Sequence, residues 1–146
     1  MNKKPEVIQK IRAFNRFYTD MIGLLDQHIL NSRFSLPEVR VLYEINALKT
    51  GTATQIMERM SIDAGYLSRL LKGFERSKII RRRKTASDAR ASEISLTSKG
   101  QKLFDQLDKA SEDQILDLLA HLPAARQEEL SEWMERIKII LAKRQA

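Results

Sequence analysis

Four consecutive cations, Arg81, Arg82, Arg83 and Lys84, are followed by the pair Asp88 and Arg90 and then by Leu96-Thr97-Ser98-Lys99-Gly100. Cations in this density point to polyanion binding, through charge-assisted hydrogen bonds to phosphate oxygens and release of condensed counterions. On a strand, successive side chains point to opposite faces, so residues 81–84 cannot all lie on one phosphate backbone, and two or so would reach it. Such contacts position a protein without reading sequence. Arg90 suits the narrow, strongly negative minor groove of an A·T-rich stretch, where a guanidinium needs no unique base code. Asp88, two residues earlier, can hold that side chain by a charge-assisted pair.

Other chemistries are poorly supplied. There is no cysteine, so disulfides, thiol redox and cysteine metal sites are excluded, and two histidines, His28 and His121, make a transition-metal site improbable. The sequence holds no Gly-rich phosphate loop, nucleophile elbow or metal-ligand cluster, so it is read as a non-enzyme without metal or cofactor. No run approaches the roughly 20 apolar residues of a membrane span, and Met1 to Pro5 leads into a charged amphipathic segment. A cytoplasmic protein without a membrane partner is expected.

The net charge of +7 is unevenly spread. Residues 1–58 carry 8 basic and 6 acidic side chains, residues 59–102 carry 12 and 4, and residues 103–146 carry 6 and 9. The middle third therefore holds the whole excess, as a polyanion-binding face on a scaffold built from the ends would. A helical interaction protein that does not bind DNA is the rival reading; this central charge argues against it.

The elements that must position these cations follow from periodicity and caps. Pro5 suits the first turn of a long helix running to about Leu30, with Val7, Ile11, Phe14, Tyr18, Met21 and Leu25 on one stripe. Ser35 and Glu38 form a capping box for a helix over 36–48, closed by Lys49-Thr50-Gly51 with Gly51 free to take positive φ. Thr52 and Gln55 repeat that spacing for a helix over 53–60, and Asp63 caps another over about 64–77. Two short helices across a tight turn are a helix-turn-helix. In the second, Leu67, Leu70, Leu71 and Phe74 face inward, leaving Tyr66, Ser68, Arg69, Lys72 and Arg76 on or near a polar, basic outer face.

Residues 79–85 and 93–96 read as a hairpin around a small polar loop. Thr97 then caps a helix to about His121, and Pro123 begins a last one with Leu130, Met134, Ile137 and Leu141 at four-three-four spacing. Trp133 and Ile140 broaden that face, and the long terminal helices are expected to bury against one another. The fold class is mainly α, an α+β winged helix with about six helices and a two-stranded wing. The whole of 1–146 is read as one domain, with a lobe at 35–97 between dimerisation helices at 5–30 and 98–146.

In this order of elements the chain resembles the MarR-type transcriptional regulators, winged-helix proteins that bind DNA as homodimers. The specific part of the resemblance is Asp-x-Arg followed by Leu-Thr-x-x-Gly, present as Asp88-Ala89-Arg90 and Leu96-Thr97-Ser98-Lys99-Gly100. Phe14-Asn15-Arg16-Phe17-Tyr18-Thr19, the run from Phe34 to Glu44 and the run from Asp63 to Arg69 are similar to the regulator half of fusions between this family and an acetyltransferase domain. A stand-alone relative or the N-terminal regulatory part of such a fusion is therefore expected. Two departures bear on the wing: Ala89 stands where glycine is often found, and Lys78 replaces a usual glycine at the exit of the recognition helix.

The resemblance implies a sequence-specific regulator, commonly a repressor, bound to double-stranded DNA as a homodimer on a pseudo-palindromic operator. Two recognition helices would then sit about one DNA turn, roughly 34 Å, apart. Tyr66, Ser68, Arg69 and Lys72 would read or flank the bases; Arg82, Arg83, Lys84, Asp88 and Arg90 would form the wing contact. A small-molecule effector is also implied. Tyr18 and His28 on the first helix could face its pocket, packing in a core or interface being the alternative.

Overall fold

The computed structural model describes residues 3–29, 33–85 and 91–142, the side chains of 24–29 excepted. Six helices and one hairpin follow in the order α1 (Lys4–Ile29), α2 (Leu36–Leu48), α3 (Ala53–Arg59), α4 (Ala64–Arg76), β1 (Ile80–Lys84), β2 (Ser92–Leu96), α5 (Ser98–Leu119) and α6 (Ala124–Ala142). The winged-helix class stands, and the element boundaries fall within a few residues of those the caps predict. Two compact units divide the chain, Met1–Ala110 and Ser111–Ala146.

In the first unit the predicted caps hold. The Ser35 hydroxyl accepts from Glu38 N–H while the Glu38 carboxylate accepts from Ser35 N–H. Thr52 and Gln55 make the same exchange. Each box satisfies two backbone donors that a helix start leaves unpaired, contributing on the order of 1 kcal/mol. One face of each helix is then pressed into a common core: Val41, Leu42 and Ile45 from α2, Ile56 from α3, Leu67, Leu71 and Phe74 from α4. Phe34 ahead of α2, Ile79, Ile80 and Ile94 from the hairpin region and Phe104 and Leu107 from α5 complete it. Burying one such side chain stabilises the fold by about 1.5–3 kcal/mol, so the hairpin base is anchored by its isoleucines.

The strands pair antiparallel with Ile80 opposite Leu96, Arg82 opposite Ile94 and Lys84 opposite Ser92. Gly51 adds a bridge to Ile94, its N–H donating to Ile94 O at 3.0 Å and its O accepting from Ile94 N at 2.6 Å. The expected positive φ at Gly51 is not found, since no described glycine adopts one; Lys49 takes it instead, at 61°. A Cβ at 51 would stand 2.7 Å from Leu48 Cδ1, so a larger residue there requires the Leu48 side chain to move. The second non-glycine residue with positive φ is Lys78, also at 61°. Its backbone ends α4 as a left-handed cap, with Ile79 N–H donating to Phe74 O at 2.9 Å.

On α1, Val7, Ile11, Phe14 and Phe17 are exposed, and Tyr18 and Met21 are half-buried. In the second unit, α6 buries none of its residues, and Trp133, Ile137, Ile140 and Leu141 are exposed. The second unit is closed by Gln127, whose amide donates to Leu119 O at 3.0 Å and Leu122 O at 2.9 Å. Among the described residues no helix is long and apolar enough to cross a membrane.

Candidate nucleic-acid interface

Helix α4, the second helix of the helix-turn-helix, is held from three sides. At its start, Asp63 Oδ2 accepts from Tyr66 N–H at 2.9 Å, fixing the direction of the first turn. Below, Leu67, Leu71 and Phe74 lock its inner face in the core. At its end, the wing motif takes over: Thr97 Oγ1 donates to Lys78 O at 2.6 Å and accepts from Gly100 N–H at 3.0 Å. Thr97 N–H donates to Ile79 O at 3.0 Å, and Lys99 Nζ donates to Ser77 O at 2.9 Å. Leu-Thr-x-x-Gly thus caps α5 and clamps the exit of α4, a structural role that sequence reading had limited to capping.

With the inner face fixed, Ser68, Arg69 and Lys72 are exposed together on the outer face of α4, and Tyr66 beside them is half-buried. The Arg69 guanidinium lies 5.8 Å from the centre of the Tyr66 ring, a cation–π contact that limits its wandering. The wing strand sorts its cations by alternation. Arg81 and Arg83 are exposed on one face, with Arg83 opposite Glu93; Arg82 shares the other face with buried Ile80 and with exposed Lys84. Arg82 is half-buried, its Nε 3.4 Å from Glu75 Oε2 on α4. Arg83 and Lys84 are therefore open to a ligand, and Arg82 is engaged with α4. Asp88 and Arg90 lie outside the described residues.

Sequence reading passed over the one buried charged residue found among the described residues, Glu44. Its carboxylate accepts from Arg40 Nε at 3.0 Å on its own helix and from Arg59 Nε at 2.7 Å on α3. Burial pushes the Glu44 carboxyl up, but these two hydrogen bonds and the guanidinium charges outweigh it and leave the pKa lowered. Glu44 so ties the first helix of the helix-turn-helix to α2. The available signal was a glutamate amid Val41, Leu42 and Ile45 with an arginine four residues earlier.

Of the two candidate effector residues, only the Tyr18 side chain lies within the described residues. Tyr18 is half-buried and stacks on Phe14 at 5.5 Å, and the His28 side chain is outside the description. A cleft of about 220 Å³ lies beside α4, lined by Arg33, Phe34, Glu38, Arg69, Leu70 and Phe74 among others. No group of metal-ligating side chains occurs among the described residues.

A helix-turn-helix leading into a two-stranded wing defines a winged-helix protein. The model of the MarR family matches residues 34–92, the stretch from α2 to the start of β2. Solved structures extend the likeness of fold. A mutant MarR from E. coli, complexed with operator DNA, is similar at 20% identity and a TM-score of 0.75, over 90% of this chain and 95% of that one. The transcriptional regulator BldR from Sulfolobus solfataricus is similar at 15% identity and 0.77, over 98% of this chain and 99% of that one. Another MarR family transcription regulator reaches a TM-score of 0.81 at 15% identity, over 97% of this chain and 93% of that one. No curated protein matches the sequence.

Proposed function

We propose that this chain is a sequence-specific regulator of transcription that binds duplex DNA as a homodimer in the cytoplasm, in the manner of a repressor. The observation that carries the reading is the outer face of α4, where Ser68, Arg69 and Lys72 stand exposed on a helix locked by a cap, a core and the Thr97 clamp. The direct binding of operator DNA by the similar E. coli protein supports it. Ser68, Arg69 and Lys72 read base edges or flanking phosphates, Arg83 and Lys84 take phosphate, and Arg90, backed by Asp88, enters the minor groove. The terminal helices at 5–30 and 98–146 pair two copies around the lobe at 35–97; the exposed apolar residues of α1 and of α6 are surfaces that such pairing would cover. A small-molecule effector suits the cleft beside α4, whose lining brings Arg33, Arg69 and Glu38 together with Phe34 and Phe74.

The test is selection of bound fragments from a random duplex library, followed by mobility shift on the winning sequence. Enrichment of a two-fold symmetric site is expected. Failure to enrich any sequence overturns the reading.

A further inference from the structure

The hairpin is a two-stranded ribbon, which is marginally stable and readily twisted unless something beneath it holds it. Its base is held by buried Ile80 and Ile94 and by the bridge from Gly51. Moving outward along the inner face of β1, the next residue is Arg82. Its Nε and Nη2 are closed to solvent and make no hydrogen bond, and the carboxylate of Glu75 stands 3.4 Å from Nε. Glu75 lies in the last turn of α4, one turn beyond the inward Leu71 and on the same helix as Arg69 and Lys72. An arginine placed on phosphate would need those nitrogens open, whereas here they are turned under the strand toward the helix.

Resting on the DNA reading above, we propose that Arg82 and Glu75 form a strut that sets the angle between the wing and the recognition helix. Arg82 is thus a positioning residue, distinct from the phosphate-binding Arg83 and Lys84. Both DNA-contacting elements descend on one duplex, so an error in the angle between them is felt as lost simultaneous engagement. Glu75 carries a negative charge into the neighbourhood of a polyanion, so simple electrostatics and the strut make opposite predictions for its removal.

The experiment uses the full chain on its selected duplex, comparing E75Q, R82Q, the double variant and R83Q across a salt series, with thermal unfolding of each. Glu75 is half exposed and its ion pair contributes little to folding, so E75Q is expected to unfold at the unaltered temperature. The strut predicts that E75Q weakens binding about three- to tenfold and that R82Q does the same. The double variant should be no weaker than the weaker single one. The slope of log K against log salt should stay unchanged in E75Q and R82Q, and fall by about one in R83Q. Unchanged or tighter binding by E75Q overturns the strut, as does a slope reduced by about one in R82Q. Should R82Q fail to fold, the sign of the E75Q effect decides alone. An unaltered chain that binds no duplex overturns the DNA reading itself, and the strut's role with it.

Discussion

A Cβ on Gly100 would overlap the carbonyl oxygen of Ile79, so the first turn of α5 can lie against the exit of α4 only with a bare backbone at that position. The same carbonyl accepts from Thr97 N–H, and the junction of α4, hairpin and α5 is thereby fixed by backbone groups. Gly100→Ala is expected to destabilise the fold by about 3 kcal/mol, because the displaced atoms are backbone and cannot rotate away. Urea unfolding measures it; a midpoint within error of the unaltered chain would contradict the packing.

At Lys78 the strain runs the other way. Its φ of 61° costs a side-chain-bearing residue about 1–2 kcal/mol that glycine avoids. Lys78→Gly should therefore raise stability by about 0.5–1 kcal/mol, after the greater freedom of glycine in the unfolded chain is deducted. Thermal unfolding should shift upward by a few degrees.

Glu44→Gln should cost about 2 kcal/mol at neutral pH, since it removes the charge that two guanidiniums share. The folded-state pKa of Glu44 is lowered, so its contribution is fully present above the ordinary carboxylate range and is lost as pH falls through the folded value. The stability gap between the two proteins should close in acid. A gap independent of pH would contradict the assignment.

Arg90→Ala is expected to lower affinity for the selected duplex about tenfold while leaving the unfolding temperature unchanged, as for a side chain whose work is in the groove. Unchanged affinity in a mobility-shift titration would remove Arg90 from the interface.

The helix-turn-helix was legible because its signals are local: Ser35, Thr52, Asp63 and Thr97 each cap the helix they precede, and the apolar spacing of α4 selects its buried face. Arg82 groups with its neighbours in sequence because alternation separates two faces without saying which lies toward a helix; Glu75, 3.4 Å from its Nε, comes beside it only in three dimensions. Glu44 escaped because its second partner, Arg59, is 15 residues away. The positive φ expected at Gly51 fell to Lys49, since Gly51 was already committed to pairing with Ile94.

The claim on which the rest depends is that two copies grip one duplex through several phosphate contacts each. Titration of the chain onto its selected duplex over a range of salt, with stoichiometry measured at saturation, tests it most directly. Two chains per duplex and a slope of log K against log salt of about −5 or steeper are predicted, from roughly 0.9 per phosphate neutralised. One chain per duplex, or a nearly flat slope, would contradict the account.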